Sequence, residues 1–263
     1  MPTTTTETAD MDDNAIKALA KSQSSHWWFV VRREIIRATL CQAKLPAQAR
    51  ILEIGAGTGG NLAMLSEFGE VSACEASATA RDLCQAATGT RPEAAALPET
   101  LPYPADSFDL VCLFDVLEHI ENDTAALQAV QAQMRQGGRL ILTVPAYPWL
   151  FGRHDAFLEH QRRYTLRGLR QRLARAGFSI TQSRYFNWLL FPLVCIVRLF
   201  EKLPGERKPA GHTIPGPLLN RLLAALFRLE NTLFRWVNAP FGTSILIIAE
   251  PISMPQEKHM GSV

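Results

Sequence analysis

The sequence predicts an α/β protein on a doubly wound, mostly parallel sheet, with a helical insertion near the C-terminal end. Three observations carry this. Strand-like and helix-like stretches alternate between residues 50 and 185, the pattern of βαβ units with helices on both faces of a parallel sheet. The first strand runs directly into a glycine-rich turn followed by a helix pattern. A chain of 263 residues that is 47% hydrophobic and 20% charged has the composition of a globular protein with a substantial core.

The elements follow in order. Residues 1–20 are expected to be a disordered tail: Met1 to Asp13 is Thr-rich and acidic, with no apolar run of the secretory kind. Residues 21–49 are expected to be a helical cap, in which His26-Trp27-Trp28-Phe29 leads into an amphipathic helix over Val30 to Leu40. Such an aromatic cluster is expected to pack over the core. The core is assigned to 50–185. Arg50 to Ile54 is its first strand, Asn61 to Phe68 a helix, Val71 to Glu75 the second strand, and Ser77 to Ala87 a helix. The third strand is hard to discern in the Ala- and Pro-rich stretch Arg91 to Pro104. Phe108 to Phe114 is a buried strand ending in Asp115. Asn122 or Asp123 is expected to cap a helix that Gly137-Gly138 terminate. Arg139 to Val144 is the fifth strand, Leu166 to Ala176 a basic helix and Phe178 to Tyr185 the sixth strand. The insertion occupies 186–241 and is expected to be a lid over the pocket or a contact for acceptor or membrane; the last strand lies within 242–251 (Ser244 to Ala249), and 252–263 form a C-terminal tail.

Charge and cysteine content narrow the function classes. A net charge of +2 gives no argument for nucleic acid, although residues 184–241 carry eight Lys or Arg against three Glu. The five cysteines are scattered without a C-x-x-C pair and mostly fall in apolar patterns, so reduced thiols and a cytoplasmic location are expected. The most apolar stretch, Tyr185 to Phe200, is interrupted by Asn187, Pro192 and Arg198 and falls short of the roughly 18 apolar residues of a membrane span.

The glycine turn fits two cofactors. Gly55, Gly57 and Gly60 satisfy the dinucleotide spacing G-x-G-x-x-G. Glu53, Gly55, Gly57 and Gly59 satisfy the acidic-x-G-x-G-x-G spacing of S-adenosylmethionine (SAM) sites. Glu75, about twenty residues after Gly55, suits the ribose hydroxyls of either ligand. Glu53 discriminates. A carboxylate beside the turn repels a pyrophosphate, whereas it favours the ammonium and sulfonium of SAM.

The downstream motifs extend this reading. Leu52-Glu53-Ile54-Gly55-Ala56-Gly57-Thr58-Gly59, Glu75, Leu101-Pro102-Tyr103-Pro104-Ala105-Asp106-Ser107-Phe108-Asp109, Asp115-Val116-Leu117-Glu118-His119 and Gly137-Gly138-Arg139-Leu140-Ile141-Leu142 occur in order. Over residues 50–145 the chain thereby resembles class I SAM-dependent methyltransferases, in particular the broad group of ubiquinone- and menaquinone-pathway enzymes. The resemblance implies a Rossmann-like sheet of seven strands, mostly parallel, with the last strand antiparallel. It implies SAM as cofactor, held by Glu53, Gly55, Ala56, Gly57, Gly59, Glu75 and Asp115. One departure is evident: the carboxylate such enzymes place before the Leu-Pro-aromatic motif is replaced near Leu97, with Glu99 the nearest acid.

Candidate chemistry follows the strand ends. Asp115 is expected on the methyl-donor side of the pocket, with a helix cap as its simpler role. The same resemblance offers Asp115, Glu118 and His119 as a divalent-metal candidate. The simpler expectation is a turn in which His119 bonds within the fold, and no metal is assigned. After the fifth strand, His154 and His160 are candidate general bases, since imidazole titrates near neutral pH. Arg162, Arg163 and Tyr164 are candidates for gripping the acceptor.

On a helical wheel over Leu218 to Val237, Leu218, Leu222, Leu226, Leu229, Leu233 and Trp236 form an apolar stripe beside Arg221, Arg228 and Arg235. Such a surface suits a lipid-like acceptor or peripheral contact with the cytoplasmic face of a membrane, and equally a helical hairpin packed on the domain. The combined expectation is a methyltransferase acting on a small-molecule or lipid-like acceptor, with oxygen the atom to consider first. A non-catalytic SAM-binding partner protein is the alternative. An NAD-dependent oxidoreductase is more remote because no separate substrate domain is available. No nucleic-acid partner is expected, since the N/D-P-P-Y/F motif of base methylation is absent.

Overall fold

The apolar runs read as strands assemble into one seven-stranded sheet, in the order β3-β2-β1-β4-β5-β7-β6. The computed structural model describes residues 13–201, 214–233 and 239–252. Helices α1 (Asp13–Ser22) and α2 (Trp27–Leu40) precede β1 (Ala49–Ile54). There follow α3 (Leu62–Leu65), β2 (Gly69–Glu75), α4 (Ala78–Thr88), β3 (Glu93–Ala94), β4 (Phe108–Phe114), α5 (Asp123–Gln133) and β5 (Met134–Pro145). The chain continues through α6 (Arg153–Phe157), α7 (Leu166–Arg175), β6 (Phe178–Phe186), α8 (Phe191–Glu201), α9 (Pro217–Leu233) and β7 (Ser244–Pro251).

β1 to β5 pair in parallel, and β7 runs antiparallel to both β5 and β6. β6 therefore points the same way as β1 to β5, and the insertion leaves from the carboxyl end of the sheet. Strand order reverses between β1 and β4, which opens a crevice at that same end. The central strands are buried on both faces, hence their near-continuous apolar runs in Leu110–Phe114 and Ile245–Ala249.

Three elements depart from the sequence reading. The expected tail over 1–20 is helical from Asp13, because Ala15 and Ile16 bury against the body of the protein, and α1 packs on α4. Residues 1–12 lie outside the described set. The helix after the glycine turn shortens to α3, since β2 already begins at Gly69. A Cβ there would sit 2.0 Å from the Ala49 carbonyl oxygen, so only glycine permits that approach. Gly137-Gly138 do not end α5. The helix stops at Gln133, Met134 turns extended and pairs with Phe108, and the glycines lie inside β5, where the ladder slips register. Gly137 has φ +77, and a Cβ on Gly138 would meet the Phe108 carbonyl at 3.0 Å.

The aromatic cluster at the start of α2 packs as expected and joins the insertion to the core. The Trp28 ring stacks on Phe186 of β6 and on Phe227 of α9, with centroids 5.9 and 5.4 Å away. Asn220 of α9 accepts from the Trp27 N–H at 2.9 Å and donates to the Ser25 carbonyl at 2.9 Å. Glu230 completes the anchor. Its buried carboxylate accepts the backbone N–H groups of Asn187, of Trp188 at 2.6 Å and of Leu189 at 3.2 Å. Burial pushes its pKa up to about 7, against the pull of these three donors and of Arg184.

The packed face of α9 is Leu223, Ala224 and Phe227. The stripe read from the wheel faces outward instead: Leu218 is 83% exposed and Leu222 55%, with Leu226 and Leu229 also exposed. Arg235 and Trp236 lie outside the described residues. No helix among the described residues is long and apolar enough to cross a membrane.

Replacing Glu230 with Ala removes the acceptor of one buried and two partly buried N–H groups. Urea unfolding is expected to show a loss of roughly 2–4 kcal/mol, and Glu230→Gln a smaller one.

Candidate active site

The site begins where β1 must turn beneath a ligand. Gly55, Gly57 and Gly59 take φ of +72, +54 and +82, values that L side chains rarely adopt. The N–H groups of Gly55 and Ala56 donate to the Cys74 carbonyl at 2.9 and 3.1 Å, which ties the turn to the end of β2. The next residue, Glu75, is fixed by the same turn. Its Oε2 accepts the Gly57 N–H at 2.8 Å and its Oε1 the Ser77 N–H at 2.9 Å. Each oxygen keeps a lone pair for a ligand hydroxyl. A Cβ added to Gly57 would meet nothing within 4 Å.

A cavity of about 1260 Å³ opens above this turn. That exceeds the roughly 300–1,000 Å³ of an ordinary small-molecule site and leaves room for two ligands. Its cofactor end is walled by Gly55, Ala56, Gly57, Glu75 and the loop 95–99, with exposed Glu99 at the rim. Its middle carries Asp115, Glu118, His119, His154, His160 and Arg163. Its far end is apolar, with Leu190, Leu193 and Val197 from the α8 side and Leu219 and Leu223 from α9.

Two residues assigned to the cofactor stand one layer behind the cavity wall. Glu53 is 1% exposed and accepts from the Asn61 side chain at 2.7 Å; Asn61, not Glu53, lines the cavity. Gly59 is required for packing on α4, since a Cβ there would lie 2.6 Å from the Cys84 sulfur. Burial pushes the Glu53 pKa up to about 7, and the Asn61 hydrogen bond only partly offsets this.

Asp115, at the end of β4 with φ +57, lines the cavity but is engaged. Arg32 pairs with its Oδ2, and the Thr143 hydroxyl donates to Oδ1 at 3.1 Å. Arg32 was not evident as a site residue. Its signal was a charged residue on the buried face of α2, between Val31 and Ile35.

The candidates after β5 divide. His154, His160 and Arg163 reach the cavity, whereas Arg162 and Tyr164 do not. Arg162 pairs with Asp123 at 3.4 Å, and the Tyr164 hydroxyl donates to the Leu117 carbonyl at 3.1 Å within the core. These two hold the scaffold because the β5–α7 loop turns their side chains toward Asp123 at the start of α5. Arg163 lines the cavity with its guanidinium already committed, to Asp155 at 2.7 Å and the Ala146 carbonyl at 3.2 Å.

Asp155 organises this loop. Burial opposes its ionised form, yet the His160 ring, the Arg163 charge and the Gly152 N–H hold the carboxyl far below the usual range. An ionised Asp155 only accepts, so the proton of the His160 ring sits on Nδ1, 3.0 Å from Asp155 Oδ1. The His160 ring stands edge-to-face with His119, centroids 4.7 Å apart. Burial, then the neighbouring His160, pushes His119 down to about 4. Glu118 is fully buried, and burial followed by the Asp115 charge raises its carboxyl well above the usual range.

Comparison with known proteins agrees with this geometry. Residues 28–183, more than half of the chain, match the model of a methyltransferase domain. The chain belongs to this methyltransferase domain family. Solved structures share its fold. The Bacillus subtilis YcgJ protein is 16% identical with a TM-score of 0.56, the match covering 84% of this chain and 99% of YcgJ. A Haloferax volcanii chain, from the complex of a putative methyltransferase with its Trm112 activator, is 14% identical with a TM-score of 0.58, over 92% and 96% of the two chains. A SAM-dependent methyltransferase from Archaeoglobus fulgidus is 18% identical with a TM-score of 0.52, over 83% and 94%. No curated protein matches the chain significantly.

The cofactor of this methyltransferase is SAM, and Glu75, held by two backbone amides, lines the cavity beside the glycine turn. Glu75→Ala is expected to weaken SAM binding by roughly 1.5–3 kcal/mol, about 10- to 150-fold in Kd by calorimetry. Glu53 sets a pH dependence. With a folded pKa near 7 and an ordinary one of 4.5, its contribution to stability is greatest below 4.5 and is lost as pH rises to about 7. Glu53→Gln is expected to remove a loss on the order of 3 kcal/mol across that window, read from denaturation midpoints at pH 4.5 and 7.5.

Proposed function

We propose that this methyltransferase transfers the methyl group of SAM to an oxygen of a lipid-like acceptor, and that residues 186–241 meet the membrane surface from which such an acceptor is drawn. The continuous apolar wall of the cavity carries this reading. Leu193 and Leu219 line its far end, and each is also about half exposed at 49% and 51%, so the wall runs out onto the surface. Ile196, Leu199 and Phe200 of α8 and Leu218, Leu222 and Leu226 of α9 extend that surface, with exposed Arg221 and Arg228 beside it. An apolar face flanked by arginines suits the boundary between acyl chains and anionic headgroups.

In this reading the acyl part of the acceptor lies along α8 and α9 and its polar end reaches Asp115. Transfer from a sulfonium is an in-line displacement, in which the acceptor oxygen bonds to the methyl carbon as the carbon–sulfur bond breaks. The main contribution of the protein is to hold the two ligands in line. Asp115, locked by Arg32 and Thr143, presents a fixed carboxylate toward the positive charge of the donor. His154, half-buried on the cavity wall and outside the His119–His160 pair, receives the hydroxyl proton.

Incubation with methyl-labelled SAM and a total lipid extract is expected to move label into the organic phase. Recovery only in water-soluble products would refute the lipid-like acceptor. His154→Gln is expected to lose transfer with SAM affinity unchanged. Leu222→Glu with Leu226→Glu is expected to abolish co-flotation with vesicles containing phosphatidylglycerol, while the soluble protein keeps its melting temperature.

A further inference from the structure

We infer that Arg163 and Arg198 form a subsite for a phosphodiester group on the cavity wall, so that the acceptor is a lipid-linked phosphodiester whose head carries the oxygen to be methylated. The two guanidiniums come from separate elements, Arg163 from the stretch between α6 and α7 and Arg198 from the last turn of α8. Each residue is only 8% exposed, and each lines the cavity. A buried guanidinium needs a partner, and here the partners stand behind the wall. Asp155 accepts from Arg163 Nε at 2.7 Å and Glu201 from Arg198 Nη1 at 2.8 Å, and neither acid is part of the wall.

The two pairs meet at Gly152. Its N–H donates to Asp155 Oδ2 at 2.9 Å, and a Cβ there would lie 3.2 Å from Glu201 Oε2 and 3.6 Å from Arg198 Nη1. Burial first, with the Arg198 charge as a smaller cause, lowers the Arg163 pKa against the pull of Asp155. Two like charges held side by side favour an anion between them. The donors for it are in place. Nη2 of Arg163 and Nε and Nη2 of Arg198 have no hydrogen-bond partner among the described residues, yet none of them is sealed from solvent. Since both residues line the cavity, these N–H groups face it. Arg162 is turned away to Asp123, and Arg198 supplies the second guanidinium instead.

The donor set selects the ligand. Forked guanidiniums on two elements reach oxygens in more than one plane, which suits a tetrahedral phosphate better than a flat carboxylate. Charge narrows it further. Asp155 and Glu201 already balance the two cations, so a singly charged diester is easier to bury here than a doubly charged monoester. The surroundings fit the two arms of such a diester. Leu193 and Val197, and Val194 and Arg198, stand four residues apart on the cavity face of α8, so apolar surface leads directly to the guanidinium. In the other direction His160, bonded to the same Asp155, faces Glu118 at 3.9 Å, and the Asp115 charge acts on Glu118 in turn. The phosphate subsite stands on the two arginines, and only the acyl arm rests on the lipid-like acceptor proposed above.

The test is calorimetric titration of the full-length protein, without SAM so that no transfer occurs, with three probes. Dihexanoyl-phosphatidylglycerol carries both arms, dihexanoylglycerol the acyl chains without the phosphate, and glycerophosphoglycerol the phosphodiester without the chains. Phosphatidylglycerol is expected to bind at least about tenfold tighter than dihexanoylglycerol. Arg198→Gln should remove about that factor for both phosphodiesters and leave dihexanoylglycerol unchanged, which a general loss of folding would not do. Arg198→Lys, which keeps the charge without the fork, should recover only part of it. Equal binding of the two lipids, or an Arg198→Gln loss that falls equally on all three probes, would overturn the phosphate subsite. Glycerophosphoglycerol binding as tightly as phosphatidylglycerol, and weakened by Arg198→Gln, would support the subsite and refute the lipid arm.

Discussion

The clasp between the β1 turn and the end of β2 is the constraint on which the rest depends. Three residues of left-handed backbone let the amides of Gly55, Ala56 and Gly57 face β2, where the Cys74 carbonyl and the Glu75 carboxylate receive them. The same contacts set where Glu75 points and keep the crevice between β1 and β4 open. Because Gly55 sits against Val116, with no room for a Cβ, the clasp also fixes the start of the segment that carries Glu118 and His119.

A second set of contacts closes the cavity from the opposite side. Trp28 stacks on Phe186 and Phe227, and Glu230 gathers the amides that follow β6. The residues that fasten α9 thus come from the aromatic cap and the last parallel strand, not from the insertion alone. With Leu223, Ala224 and Phe227 used for packing, the leucines on the other side of the helix stay exposed. An amphipathic pattern is usually resolved by burying its apolar side. Here both sides of the helix are apolar, and the aromatic contacts with α2 decide which one is covered.

Much of the fold was legible because strand periods, glycine turns and caps are local. The β1 turn, the β4 strand ending at Asp115, the Asn122 cap of α5 and the antiparallel β7 all stand where the pattern and the resemblance indicated. Short or doubly constrained elements were less legible. α1 is short and its buried side chains reach its partner α4 only in the folded protein, and Gly137-Gly138 read as a helix stop although strand pairing with Phe108 overrides that signal. In the site, Glu75, Asp115, His154 and His160 reach the cavity, but the spacing of Glu53, Gly59, Arg162 and Tyr164 could not reveal which way each side chain turns.

By itself the sequence determined the layered architecture, the glycine turn and the residue types available for chemistry. These follow from backbone sterics and hydrophobic periodicity within a few residues of chain. Only the tertiary structure decided that Glu53 supports Asn61 from behind, that Arg32 locks Asp115, and that His160 meets Glu118 and His119 across 40 residues of chain. Each of these depends on the direction a side chain takes once distant elements pack, and that direction is set by burial and partner geometry, which linear spacing does not encode.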